Sequence, residues 1–255
     1  MAVLDATRRF SSRVESYVRY RPGYPPQIVD LLKSECGLTA ESIIADIASG
    51  TGLLTRIFLT NGNHVFGVEP NPEMRQAGER LLADYPNFTS LNGTAEATTL
   101  GDHSVDFVTA GQAAHWFDRD QARREFARIL KPRGWCVLIW NDRRTDSSFL
   151  QSYEKLLLTY GTDYNEVRRV DSAMSIDAFF APSTFKAQFF ETLQEFDYAG
   201  LEGRLLSSSY TPQAGHPNYE PMLRELRDLF DAHQKNGLVT LHYNTRVYYG
   251  RLEAI

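Results

Sequence analysis

ADIASGTGLLT, residues 45–55, is the stretch of sequence that decides the fold class. An apolar run that starts at Ile43 ends in the acid Asp46, and Gly50 and Gly52 follow with one residue between them. An amphipathic segment begins directly after the second glycine. A strand that leads through a glycine turn into a helix is typical of nucleotide-binding proteins. We therefore expect this turn to hold a nucleotide-like ligand.

Strand and helix patterns alternate around this turn. Residues 52–60 predict one helix, Asn71 and Asp118 are the expected N-cap residues of two more, and Pro72 stands at a first helical position. Short apolar runs predict strands at residues 42–47, 64–68, 87–91, 105–110 and 135–140, with a turn at 131–134. Strands that alternate with helices predict an α/β fold with a parallel sheet.

The alternation ends after residue 141. We expect helices within residues 147–182, a strand within 185–198, a helix over 217–235 and a strand over 239–249, where apolar residues alternate. The chain is predicted to be a single domain of four parts. These are an N-terminal arm (1–24), a cofactor-binding core (25–141), a helical cap segment (142–184) and a C-terminal part that completes the sheet (185–255).

The glycine turn lacks the features of two common phosphate-binding loops. Thr55 or Leu53 stands where a dinucleotide fingerprint needs its third glycine, and no lysine follows the last glycine as in a Walker loop. The turn carries the acid Asp46 instead, and Glu69 closes the next strand 23 residues later. An acid at the end of the second strand, such as Glu69, suits the hydroxyls of a ribose. An acid in the turn, such as Asp46, favours an ammonium or sulfonium group. S-Adenosylmethionine combines these groups.

A series of motifs in the same order extends over nearly the whole chain. Residues 46–52 match the pattern D-x-G-x-G-x-G, with Ala48 at the first glycine. Further motifs lie at residues 68–74, 93–96, 104–107, 112–117 and 130–134, and shorter ones at 10–22, 208–210 and 247–251. In these motifs the chain resembles class I S-adenosylmethionine-dependent methyltransferases. Among them it is similar to the small-molecule enzymes grouped around trans-aconitate methyltransferase.

The resemblance implies a Rossmann-like sheet of seven mostly parallel strands, with helices on both faces and an antiparallel C-terminal edge. It also implies cofactor contacts, with Glu69 at the ribose, Met74 on the adenine face and the carbonyl of Ala48 near the methionyl amine. An alanine is tolerated there if its φ stays negative. The implied cofactor-binding residues are Asp46, Ala48, Gly50, Gly52, Glu69, Met74, Thr94, Ala95, Glu96, Gly111 and Gln112. Glu69 is expected to be an exposed acid without a core role.

The methyl acceptor is expected to be a small molecule. Trp116, Tyr17, Tyr20 and Arg21 are the candidate pocket residues, and His115 is the candidate catalytic base. A general base is dispensable for a carboxylate acceptor, which an Arg or Tyr clamp would favour. Each assignment has an ordinary alternative. His115 and Trp116 would then be core residues, and residues 17–21 would belong to a surface arm that has no function.

Composition narrows the function classes. The chain has 255 residues and a net charge of −5, and its basic residues are scattered, so no nucleic-acid partner is expected. It has two isolated cysteines, no pattern of metal ligands, no apolar leader and no membrane-spanning run, so we expect a cytoplasmic protein without a metal. The oligomeric state stays open. Two rival functions remain, a non-catalytic S-adenosylmethionine-binding protein and an NAD-dependent oxidoreductase.

Overall fold

The computed structural model describes residues 13–173 and 175–253; the arm residues 1–12, with Phe10 to Ser12 of the N-terminal motif, lie outside the described residues, as do 254–255. Within these ranges seven strands form one sheet in the order β3-β2-β1-β4-β5-β7-β6. The strands are β1 Ile43–Ile47, β2 His64–Val68, β3 Phe88–Leu91, β4 Val105–Gly111, β5 Leu130–Arg143, β6 Phe185–Phe196 and β7 Val239–Gly250. β1 to β5 pair in parallel, and β7 pairs antiparallel with both β5 and β6. The predicted fold class and its antiparallel edge are confirmed.

The described helices are α1 Val14–Tyr20, α2 Gln27–Cys36, α3 Thr55–Thr60, α4 Pro72–Leu81, α5 Arg119–Ile129, α6 Ser148–Tyr160, α7 Tyr164–Ala173, α8 Ile176–Phe180, α9 Tyr198–Leu206 and α10 Tyr219–His233. Of these, α1 and α9 were not predicted from the sequence. Asn71 caps α4 by accepting from the Met74 N–H, and Asp118 caps α5 by accepting from the Gln121 N–H, as predicted. Among the described helices, none has both the length and the apolar composition to cross a bilayer.

Two of the differences from the predicted boundaries lie at turns. α3 begins at Thr55 and not at residue 52, because Gly50 and Gly52 take positive φ values of 58° and 85° that extend the turn. The predicted turn at 131–134 lies inside β5. Residue 130 pairs with residue 105 of β4 and residue 135 pairs with residue 107, so the four residues between them stand opposite the single residue Asp106. Arg133 in this bulge has a φ of 72°. A bulge with a left-handed residue therefore replaces the expected turn.

The core has one layer on each face of the sheet. The interior strand β5 contributes Cys136, Leu138 and Trp140 to one layer and Val137 and Ile139 to the other, as its continuous apolar run predicts. A third cluster joins α6, α9 and α10 to β7. The strand order reverses between β1 and β4, and ligands of such sheets bind at the carboxyl ends of the strands beside this switch point.

Candidate active site

A cavity of about 540 Å³ lies at the carboxyl ends of β1, β2, β4 and β5, within the usual size range of ligand sites. Most of the residues expected from sequence line it: Tyr17, Arg21, Ala48, Gly50, Glu69, Met74, Thr94, Ala95, Glu96, Gly111, Gln112, His115 and Trp116. Three expected residues do not. Asp46 is buried beneath the loop, Gly52 faces Leu82, and the ring of Tyr20 packs against Gly203.

The glycine loop is built from left-handed residues. Gly50 leaves space for the side chain of Met74, since a Cβ there would approach the Met74 Cε to 3.3 Å. Ala48 also has a positive φ, of 54°, so the condition under which an alanine is tolerated here, a negative φ, is not met. A left-handed conformation brings a Cβ too close to the backbone. This position suits the glycine that the resemblance leads one to expect.

Replacing Ala48 by glycine is therefore expected to stabilise the protein. Relief of the left-handed strain, about 1–2 kcal/mol, exceeds the added freedom of the unfolded chain, about 0.4–1 kcal/mol. We expect a rise of about 0.5–1 kcal/mol in the free energy of unfolding, measured by denaturant titration. Ala45→Gly, in the adjacent strand β1, is the matched control and should destabilise. A loss of stability in Ala48→Gly would contradict the strain at this position.

Glu69 ties the loop to the end of β2. Its Oε2 accepts from the Gly50 N–H at 2.9 Å and its Oε1 from the Asn71 N–H at 2.8 Å. The residue is only 7% exposed, so the expected exposed acid without a core role is a wrong prediction. Burial raises the pKa of its carboxyl above the ordinary value, against the opposing effects of these N–H groups and of Arg75. Glu69 still lines the cavity and keeps acceptor capacity for a ligand.

Asp46 lies one layer below the loop. Its two carboxylate oxygens accept from the hydroxyls of Thr55 at 2.6 Å and Thr109 at 3.0 Å. Burial raises its pKa from 3.8 to about 6, although these hydroxyls favour the ionised form. Asp46 thus fixes the strand, the loop and the start of α3 relative to one another, and does not itself line the cavity.

The raised pKa of Asp46 predicts a specific pH dependence. The folded state favours the protonated acid, so its stability should fall as pH rises from about 4 to about 6 and then level off. A shift of this size corresponds to about 3 kcal/mol. Asp46→Asn removes the titration, so the difference in unfolding free energy between the two proteins should change by about this amount. Denaturant titrations across this range would contradict the assignment if the difference stays constant.

The side of the cavity expected to hold adenine is formed by α4 and the segment after β3. Met74 is 4% exposed and Ala95 is 5% exposed. Thr94 and Ala97 exchange backbone hydrogen bonds, which closes a tight turn that presents the backbone of Ala95. Glu96 accepts from the Asp118 N–H at 2.9 Å, next to the start of α5. These contacts leave an apolar surface with backbone polar groups at its rim.

The segment after β4 forms the middle of the cavity. A Cβ at Gly111 would lie 2.4 Å from the Tyr24 hydroxyl, so the backbone and this side chain are in close contact. Gln112 has a φ of 55°, and its side-chain amide donates to the Asn141 carbonyl. His115 and Trp116 belong to a short 3₁₀ helix, Ala114–Trp116, and their ring centroids are 4.6 Å apart. Both are partly exposed cavity residues and are not core residues.

The end of the cavity beyond the glycine loop is rich in arginine. Arg21 from the segment after α1, Arg143 from β5 and Arg204 from α9 all line it. The Arg204 Nε donates to the Tyr243 hydroxyl at 3.1 Å, and the Arg21 Nη2 donates to the Ser207 carbonyl at 3.2 Å. Among the described residues, the Nε atoms of Arg21 and Arg143 are buried without a hydrogen-bond partner.

The cap adds one carboxylate to this end. Glu154 of α6 accepts from Arg143, from the Tyr164 hydroxyl at 2.7 Å and from Arg168 at 3.1 Å. Tyr210, on the loop after α9, also lines the cavity. Of this set only Arg21 could be recognised from the sequence as a candidate pocket residue. For Arg143 the sequence held one usable signal, which is its position at the carboxyl end of an apolar strand.

Comparison with known proteins agrees with this geometry. Residues 45–138 match the model of a family described as a methyltransferase domain. An uncharacterised methyltransferase of Schizosaccharomyces pombe is 36% identical over 151 residues, 59% of each chain. One of Mycobacterium tuberculosis is 37% identical over 164 residues, 64% of this chain and 63% of its own length. The chain thus aligns with about three fifths of the length of these relatives.

Solved structures agree in fold. A candidate type II methyltransferase of Anaeromyxobacter dehalogenans has a TM-score of 0.68 at 20% identity, over 91% of this chain and 98% of its own. The phosphoethanolamine N-methyltransferase 2 of Haemonchus contortus, solved with S-adenosylhomocysteine, has a TM-score of 0.52 at 15% identity, over 98% of this chain and 59% of its own. Residues 45–138 thus match a methyltransferase domain, and the fold is that of solved methyltransferases.

Proposed function

We propose that this chain transfers a methyl group from S-adenosylmethionine to a carboxylate oxygen of a small acid. The observation that carries the proposal is the arginine-rich end of the cavity. Arg21, Arg143 and Arg204 line it, and two of their Nε–H groups are buried without a partner. A buried donor without a partner costs free energy. A carboxylate bound at this end would accept from these groups.

The residues at the other end fit the cofactor. Glu69 has acceptor capacity beyond its two backbone contacts and would hold the ribose hydroxyls. Met74 and Ala95 form an apolar surface suited to a purine face. The left-handed loop from Ala48 to Gly50 keeps side chains away from the space in front of β1. These residues, with Thr94, Glu96, Gly111 and Gln112 beside them, would bind the cofactor, while Asp46 and Gly52 would support the loop from below.

A bound S-adenosylmethionine would supply an already activated methyl group. The carboxylate oxygen would bond to the methyl carbon as the carbon–sulfur bond broke and its electron pair stayed on sulfur. The chain's own tasks are then to align the acceptor and to exclude water. The arginines hold the acceptor, and Trp116 closes the wall between the two ends of the cavity. An ionised carboxylate needs no base, and His115 is the group in place for an acceptor that keeps its proton.

The N-terminal arm belongs to the same site in this proposal. α1 packs on α9, and Arg13 donates to the carbonyls of Leu206 and Ser208 at 2.8 and 2.6 Å. Tyr17 and Arg21 from the arm line the cavity. We therefore propose one functional domain in which arm, core and cap enclose the acceptor. A small acid as acceptor also agrees with the resemblance to the trans-aconitate methyltransferase group.

Calorimetric titration tests the cofactor half of this proposal. S-Adenosylmethionine and S-adenosylhomocysteine are expected to bind, and NADH to give negligible heat. An oxidoreductase would show the opposite order, so tighter binding of NADH would overturn the methyltransferase proposal.

A further inference from the structure

Tyr210 occupies a fixed place at the arginine-rich end of the cavity. Its carbonyl accepts from the Thr162 N–H at 2.9 Å, which ties its loop to the cap. Its ring lies 4.6 Å from that of Tyr164, centroid to centroid. The arm holds the same loop, because Arg13 donates to the Ser208 carbonyl. Contacts from three parts of the chain thus set the position of its hydroxyl.

The charged and titratable groups around Tyr210 come from every neighbouring element. Arg143 faces it from β5, Arg21 from the arm and Arg204 from α9, and Glu154 lies beyond Arg143 on α6. The phenols of this region also include Tyr153, Tyr164 and Tyr243, and Tyr17 of α1, whose ring lies under Arg21. Burial alone would raise the pKa of Tyr210, but the three guanidinium groups and the Ser208 hydroxyl outweigh it, so the pKa lies below its ordinary value.

The hydrogen-bonding capacity of these neighbours leaves one role for the phenol proton. Guanidinium groups only donate, so Arg21, Arg143 and Arg204 cannot accept from Tyr210. A side-chain hydrogen bond with Ser208 lowers the pKa of Tyr210, which is the effect of a hydroxyl that donates to the phenol oxygen. Glu154 already accepts from Arg143, Arg168 and Tyr164. The phenol proton therefore suits an acceptor atom that arrives with a ligand.

We propose that the Tyr210 hydroxyl donates a hydrogen bond to the carboxylate of the methyl acceptor and that ionisation of this hydroxyl ends acceptor binding. The inference rests on the proposed function and assigns to it a residue that selects ionised acids over their esters. The neutral phenol donates to the carboxylate, whereas the phenolate repels it. Cofactor binding at the other end of the cavity should be unaffected by this change.

The test compares the wild type with Tyr210→Phe, and uses Tyr160→Phe as the control, since Tyr160 lies outside the lining of the cavity and its hydrogen bond to Glu225 raises its pKa. Phenol ionisation is followed by ultraviolet difference spectroscopy from about pH 7 to about pH 10. Binding of succinate to each protein saturated with S-adenosylhomocysteine is followed by calorimetry over the same range. Affinity for S-adenosylhomocysteine reports whether each variant is folded.

We expect one phenol to ionise early in the wild type and in Tyr160→Phe, and this step to be absent in Tyr210→Phe. At pH 7 succinate should bind Tyr210→Phe at least about ten-fold more weakly than it binds the wild type. Succinate affinity should fall at high pH in the other two proteins but not in Tyr210→Phe. Equal succinate affinity and equal pH dependence in wild type and Tyr210→Phe would overturn the inference alone. Absence of succinate binding to every protein, with S-adenosylhomocysteine still bound, would overturn the acid-acceptor function and the role of Tyr210 with it.

Discussion

Glu69→Ala is expected to weaken the binding of S-adenosylmethionine by about ten- to a hundred-fold. Hydrogen bonds to a charged acceptor contribute about 1.5–3 kcal/mol, and each 1.4 kcal/mol is a factor of about ten. Glu69→Gln should lose less, because one oxygen can still accept. Isothermal titration calorimetry with S-adenosylmethionine measures both variants against the wild type.

The same substitution is expected to lower the stability of the ligand-free protein. Removing the carboxylate leaves the N–H groups of Gly50 and Asn71 without their acceptor, and each unsatisfied buried group costs about 1–3 kcal/mol. Glu73→Ala, an exposed acid on the same segment, is the control for both measurements. If Glu69→Ala bound S-adenosylmethionine with wild-type affinity, the assignment of Glu69 to the ribose would be wrong. The positions assigned to the other motifs in this sequence would then also be wrong.

Arg21→Met is expected to lower kcat/KM for the acid acceptor by about ten- to a hundred-fold, through the loss of charge-assisted hydrogen bonds. Its affinity for S-adenosylmethionine should stay close to that of the wild type, because Arg21 neighbours Arg204 and Tyr210 and is not one of the residues proposed to bind the cofactor. Arg19→Met, an exposed arginine on the same arm, is the matched control. Steady-state kinetics with varied acceptor separate the two outcomes. Unchanged kcat/KM in Arg21→Met would contradict the acceptor site.

The parts of the fold that depend on local signals could be predicted from the sequence. The caps at Asn71 and Asp118 and the parallel core follow from short-range rules, and the alternating run of β7 predicts a half-buried strand. The antiparallel edge came from the family resemblance. The positions of Glu69 and Met74 on the cavity followed from the same resemblance, since the ends of parallel strands meet at one edge of the sheet.

The acceptor end could not be predicted in the same way. Arg143, Arg204 and Tyr210 come from a strand, a helix and a loop that only tertiary packing brings together, so no spacing in the sequence marks them as one cluster. Backbone conformation was equally hidden, as the positive φ of Ala48 shows. The burial of Glu69 depends on its contact with Gly50, which lies on a different strand end. Each of these properties requires the three-dimensional arrangement.

A methyl-transfer assay tests the central claim most directly. The purified protein is incubated with S-adenosylmethionine that carries an isotopically labelled methyl group and with a panel of small carboxylic acids, phenols and amines. Mass spectrometry then identifies any compound that gains the label. We predict gain by one or more of the acids, as base-labile methyl esters, and none by the amines. If the cofactor binds and no compound gains the label, the chain is an S-adenosylmethionine-binding protein without this activity; label on amines alone would contradict the acid acceptor.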